Sequence, residues 1–423
     1  MQKFISDFLK EEYFYLKHSS GLSIYIYPKK NYKSYHAVIS TKYGSVNQKF
    51  KLNSEIVETP AGIAHFLEHK LFECQDRDAF EMFSKTGASA NACTSWNKTE
   101  YYFSCSDNFK ESLKILLDFV QEPYFTESGV NKERGIIEQE IKMYSDSPGW
   151  QSNINLLNSL YWNHPVKEDI AGSVRSISRI NADLLNKCYE SFYNLSNMTL
   201  CLVGDFEPND MLEFVDKNIK KSHKDNKVEN IFPDEPEEVK SHFISEKMEV
   251  VNSYFDLGFK HKISGRNITC REFIISDIVL RIIMMKSGKI YNDLLDEHLI
   301  TTNSFDYELF DGPYYKSSIF SGESENPEKV AEIIKNGIMQ YRNNGVNTEE
   351  FNRAKKCCYS DTISLFDRVS SIAETIISMD FSGYKIFEFI DMISNIGINE
   401  INEQITKDFN ENNWALSVIS KNK

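Results

Sequence analysis

The chain has 423 residues, 41% of them hydrophobic and 26% charged, with a formal net charge of −14. That length suffices for two or more packed cores. The acidic balance disfavours nonspecific binding to nucleic acid or to an anionic membrane surface, where positive charge supplies most of the affinity.

No run reaches the roughly 18 apolar residues of a membrane span. The first residues, MQKFISDFLKEEYFYLKHSSG, are broken by acids and lysines and lack the clean apolar stretch of a secretory leader. The eight cysteines include no CxxC pair and read as free thiols of a reducing compartment. A soluble cytoplasmic protein without a thiol-ligated zinc is expected.

In chain order, LSIYIY (22–27) and YHAVISTKYGS (35–45) are expected strands, alternating and rich in β-formers. Residues 59–73, TPAGIAHFLEHKLFE, read as a helix with Thr59 as cap and Pro60 at its first position. TEYYFSC (99–105) is a strand. Residues 107–120 carry Leu113, Leu116, Leu117 and Val120 at helical spacing, and 129–145 carry Ile137, Ile141 and Tyr144 likewise. MTLCLVG (198–204) closes the first half as a buried strand.

Composition then shifts. The stretch 217–244 is polar, charged and contains two prolines, as a solvated linker would. Beyond it, MEVVNSYFDLGF (248–259) reads as strand and the segments near 270–285, 327–342 and 348–380 as helices. NNWALSVIS (412–420) echoes SNMTLCLVG (196–204), which suggests a duplicated α+β domain. The expected division is a domain over 1–216, the linker over 217–244 and a homologous domain over 245–423.

The chemistry lies in HFLEH. On a helix, positions i, i+3, i+4 and i+7 share a face, so His65, Glu68, His69 and Phe72 fall on one stripe. Two imidazoles one turn apart can hold one zinc ion, and Glu68 between them can act on a metal-bound water as general base. A single histidine is usually structural. With nine histidines in 423 residues, however, HxxEH arises by chance in roughly one or two such chains per hundred, so the motif is specific. Zinc in a catalytic site takes three protein ligands and keeps one position open. Within NKERGIIEQEIKMYSD (131–146), Glu133 and Glu140 lie two helical turns apart on one face, while Glu138 falls on another. A buried carboxylate pair needs positive charge opposite it. Glu140 is therefore assigned as third ligand, and Glu133 as the residue that orients a histidine or the water from behind.

These residues resemble the inverzincin peptidases of family M16, the pitrilysin family, and within it the short bacterial members and the β-type subunits of processing peptidases. HFLEH resembles the family zinc motif, and ERGIIEQEIKMYSDSP (133–148) the segment carrying its third ligand. Glu140 follows His69 by 71 residues, close to the family's spacing. GASANACTSWNKTEYYF (87–103) is similar to the family's active-site edge strand, and HPVKEDIAGS (164–173) and SNMTLCLVGDF (196–206) also match its pattern. The resemblance implies a fold of two homologous α+β domains, each an α/β sandwich, and one zinc ion per chain. It implies a chamber closed by two chains or by two halves of a longer one. It places Asn91 and Ala92 on the strand that pairs with an extended peptide substrate.

One departure bears on partners. Family members that complete their own site carry an Arg and a Tyr in the second half. In the matching stretch SGKIYNDLLDEHLITT (287–302), Leu295 and Thr302 stand in their places. The resemblance then implies a heterodimer with a related chain that lacks the zinc motif but keeps the Arg and Tyr, ahead of an active homodimer. The competing expectation is an M16-like subunit that is inactive alone and serves as a scaffold.

Overall fold

Fifteen strands and the helices between them were traced in a computed structural model that describes residues 1–75, 78–220, 227–263 and 265–422. They group into two compact units, each assembled from separate stretches of chain. The first takes residues 1–141, 169–231 and 363–388; the second takes 142–168, 232–362 and 389–423.

In the first unit, strands β1 (Gln2–Ser6), β2 (Glu11–Lys17), β3 (Ser23–Pro28), β4 (Tyr35–Thr41), β5 (Lys49–Leu52), β6 (Glu55–Glu58), β7 (Ser89–Thr94), β8 (Thr99–Cys105), β9 (Met198–Gly204) and β10 (Val228–Asn230) form two sheets. The main sheet runs β1-β2-β3-β9-β4-β8-β7, and β10-β5-β6 form a small one. The pair β3–β9 is parallel and every other pair antiparallel. One face of the main sheet packs Ile24, Ile26, Ala37, Ile39, Tyr101, Phe103, Leu200 and Leu202 against helices Ile63–Leu71 and Phe109–Gln121. The other face is covered by helix Val369–Phe381, which comes from late in the chain. Asp380 ties it down, accepting hydrogen bonds from the Tyr25 hydroxyl at 2.6 Å and the Thr199 hydroxyl at 2.7 Å. Strands buried on both faces are apolar along their whole length, which is why LSIYIY and MTLCLVG were legible.

In the second unit, strands β11 (Phe243–Met248), β12 (Ser253–Lys260), β13 (Phe305–Gly312), β14 (Tyr315–Ser324) and β15 (Trp414–Lys421) run in the order β11-β15-β12-β14-β13. Only β11–β15 is parallel. Setting this beside β3-β9-β4-β8-β7 gives the same order and the same sense at every step. The two echoing stretches become β9 and β15, each between one parallel and one antiparallel neighbour. The expected duplicated α+β architecture is therefore present in both sheets. Here too one face is covered by a helix from the other half of the sequence: Leu156 and Leu160 of helix Pro148–Leu160 lie against Gly258 of β12.

Several details differ from expectation. Two stretches group across the expected division at 1–216 and 245–423: 142–168 belongs to the second unit and 363–388 to the first. The charged stretch after 217 is not wholly linker, since β10 pairs with β5 within it; its centre, 221–226, lies outside the described residues. The expected helix 348–380 is broken into Thr348–Ser364 and Val369–Phe381. The hairpins β1–β2 and β13–β14 were not anticipated. Most of the described cysteines are buried. Among the described residues, no helix is long and apolar enough to cross a membrane.

Candidate metal and catalytic site

The motif helix spans Ile63–Leu71, shorter than expected. Neither Thr59 nor Pro60 caps it: the Thr59 hydroxyl donates to the Gln48 carbonyl, and the cap is Gly62, in the left-handed region at φ 90°. The cause is a close approach of two loops. A Cβ on Gly62 would stand 2.4 Å from the Ala171 carbonyl oxygen, and one on Gly172 would stand 2.5 Å from the Ala61 carbonyl oxygen. Backbone packs on backbone there, so only glycine fits. From this fixed start, Ile63, Phe66, Leu67 and Leu71 enter the core, and His65, Glu68 and His69 fall on the adjoining stripe.

The second contributor is helix Glu127–Ser145. Val130 and Ile137 anchor it in the core, and Glu133 and Glu140 are carried half-buried beside the two histidines. Glu140 Oε1 lies 3.6 Å from His65 Nε2, and Glu140 Oε2 lies 3.4 Å from His69 Nε2. These separations are longer than good hydrogen bonds. They match the spacing of two ligands each about 2.1 Å from one zinc at the tetrahedral angle, about 3.4 Å apart. The donor atoms of His65, His69 and Glu140 all lie within 4.8 Å of one another, and among the described residues this is the one such group of His, Cys, Asp and Glu donors. Two imidazole nitrogens and a carboxylate form a common catalytic zinc donor set. The residues present fit the ion.

His69 Nδ1 lies 3.0 Å from Glu133 Oε1, so the ring donates there and presents the Nε2 lone pair to the other donors. Burial works against a charged His69, but the bond to Glu133 and the charges of Glu68, Glu140 and Glu133 outweigh it and raise its pKa. The bond to His69 holds Glu133 below the usual carboxylate range against burial, and the adjacent His65 ring does the same for Glu140. The pocket thus already favours negative carboxylates facing positive charge, the condition a bound cation would reinforce. His65 Nδ1 is buried and has no hydrogen-bond partner.

Glu68 is 8% exposed, and its Oε2 accepts a hydrogen bond of 2.8 Å from the Thr94 hydroxyl. Thr94 was not singled out in the sequence. It belongs to the quoted edge-strand stretch, but nothing local marks it, because its role depends on a helix 26 residues away. Asn91 and Ala92 lie on β7, which among the described residues pairs only with β8 and has its outer edge unpaired. Asn91 is exposed, and its side-chain oxygen accepts the N–H of Ala92 at 2.9 Å. Glu138 is not part of the donor group. Leu295 is half-buried on helix Lys289–Asp296 and Thr302 is exposed in the loop that follows.

Comparison with known proteins gives the family. Residues 56–173 match the family described as insulinase (peptidase family M16), and residues 179–357 match the description peptidase M16 inactive domain. The zinc protease YmfH of Bacillus subtilis is 36% identical over 409 residues, covering 95% of this chain and 94% of that protein. The zinc protease YmxG of the same organism is 25% identical over 309 residues, covering 71% and 73%. The crystal structure of an M16-like peptidase from Alicyclobacillus acidocaldarius superposes with a TM-score of 0.93 at 28% identity, covering 97% of this chain and 99% of that one. With a relative this similar along nearly its whole length, the chain belongs to the M16 family of zinc peptidases.

Proposed function

We propose that this protein is a zinc-dependent endopeptidase that cleaves unfolded peptides or flexible precursor segments inside a two-subunit chamber. The observation that carries the reading is the convergence of His65, His69 and Glu140 on one point, with Glu68 buried on the same helix and bonded to the end of β7. Bound zinc would acidify a water and polarise the scissile carbonyl. Glu68 takes the proton of the attacking water and delivers it to the leaving amine. Glu133 fixes the tautomer of His69 through Nδ1. The outer edge of β7 around Asn91 and Ala92 offers main-chain groups to an extended substrate, a pairing that tolerates varied sequences. A chamber would admit unfolded chain and exclude folded proteins.

Leu295 and Thr302 support a second clause. They offer neither the guanidinium nor the phenol that matching positions supply in self-sufficient relatives, so a related chain is proposed to provide them. Eight cysteines with no CxxC pair support a cytoplasmic setting. In the other reading, the chain is inactive alone and acts only through that partner.

Glu68→Gln is expected to keep about one zinc per chain while lowering cleavage of a quenched fluorescent peptide by at least about 100-fold. Wild-type cleavage by that variant refutes Glu68 as base. His65→Ala and Glu140→Ala are expected to lose the metal, and full zinc occupancy in either removes the ligand set. Assays of the chain alone and with the related chain from a neighbouring gene separate the two readings.

A further inference from the structure

Thr94 ends the edge strand β7, pairing with Thr99 across a tight turn in which the Ser95 N–H donates to the Lys98 carbonyl at 2.8 Å. Its side chain is 7% exposed and meets Glu68 at 2.8 Å. Among the described residues, this is the one hydrogen bond to the Glu68 carboxylate. A hydroxyl has a single proton to give. Thr99 spends its own on the Tyr43 carbonyl at 2.8 Å, and the two threonine oxygens stand 3.5 Å apart. The Thr94 proton is therefore committed to Glu68, and Thr99 limits where Thr94 can turn. A β-branched side chain is stiff at χ1, so the hydroxyl is held in place by the strand.

We propose that Thr94 is a positioning residue for Glu68: it fixes Oε2, so that Oε1 alone is presented to the reacting water. The inference rests on the reading of Glu68 as general base. Proton transfer requires the base within about 3 Å of the proton it takes, and a displacement of about 1 Å can cost about 100-fold. A carboxylate free to rotate in a buried site would present the wrong oxygen, or the wrong lone pair, for part of the time. The hydroxyl keeps its own proton throughout; the transferred proton rides on Oε1. Because Thr94 is also the last residue of β7, one side chain sets the base in register with the edge offered to substrate. The alternation of β7 supports this: Ala92 and Ala90, two and four residues earlier, point to the same side and pack on the core.

The test compares Thr94→Val, which keeps the shape and removes the hydroxyl, with Thr94→Ser, which keeps the hydroxyl. In the zinc-loaded preparation that cleaves peptide, Thr94→Val is expected to lower kcat about 10- to 100-fold with KM and zinc content unchanged, and Thr94→Ser to restore kcat to within a few-fold. A readout without turnover is the melting temperature of the metal-free protein in a double-mutant cycle. Thr94→Val should lower Tm in the Glu68 background and much less in Glu68→Ala, where no carboxylate is left unpaired. Wild-type kcat in Thr94→Val beside an active parent, or strictly additive Tm changes, overturns this inference alone. A parent that cleaves no peptide, alone or with its partner, overturns the proposed function instead, and the positioning role falls with it.

Discussion

Glu133 is not one of the three converging donors, yet it fixes which nitrogen of His69 faces the other two. Its Oε1 accepts the Nδ1 proton at 3.0 Å, and the pair perturbs both groups towards their charged forms. Partners of this kind raise ligand basicity and hold ring orientation. Glu133→Gln is expected to weaken zinc affinity about 10- to 100-fold while leaving the fold intact, measured by competition with a chromogenic chelator. Unchanged affinity would reduce Glu133 to a surface ion-pair partner. At this scale the candidate site was largely legible. Histidines at i and i+4 with a glutamate between them form a local pattern, and the spacing of Glu133 and Glu140 is helical arithmetic. Thr94 was not legible, because a hydroxyl that serves a residue on another element leaves no periodic trace.

The motif helix begins where it does because two loops touch through their backbones. Gly62 combines a left-handed φ of 90° with a Cβ position 2.4 Å from the Ala171 carbonyl oxygen. A side chain there meets both conformational strain and a clash that no rotamer relieves. Gly62→Ala is expected to destabilise the protein by about 2 kcal/mol or more and to reduce zinc retention, because the helix start sets the rotation of His65 and His69. Thermal unfolding together with metal analysis checks it, and a neutral variant would show that the loops yield. Sequence reading placed this helix but mistook its start, because Thr-Pro is a common opening signal and local cap preferences cannot register a loop more than 100 residues away. The β13–β14 hairpin was missed for a related reason. FDYELFDG (305–312) carries acids at 306, 308 and 311 and reads as polar chain until its neighbour is known.

Three histidines bear on how the whole molecule responds to acid. His36, His164 and His261 are 2%, 0% and 4% exposed, and burial holds each ring at about 4 rather than the ordinary 6.5. The unfolded chain therefore takes up each proton first as pH falls. Their stabilisation is complete above about pH 6.5 and is lost as pH falls towards 4, up to about 3 kcal/mol each. In the second unit, Asp256 and Asp311, pushed up to about 6 by burial, run the other way and offset His164 and His261 over the same window. His36 belongs to the first unit, where His69, raised by Glu133 and the neighbouring carboxylates, and Glu374, raised by burial, run the other way. His36→Gln is expected to flatten the fall in stability of the metal-free protein between pH 6.5 and 4 by about one proton, read from Tm against pH; an unchanged slope means His36 titrates normally.

The sequence by itself determined the stripe of His65, Glu68 and His69, the family and the duplicated pattern of strands, because each of these is written in local periodicity or in spacing along one helix. Tertiary structure decided three things. It assigned helices Pro148–Leu160 and Val369–Phe381 to sheets built from the other half of the chain. It started the motif helix at a glycine pinned by a distant loop. It gave the Glu68 carboxylate a hydroxyl partner from the edge strand. All three depend on which surfaces meet in space. An amphipathic helix carries the information that it will bury a face, but not against which sheet.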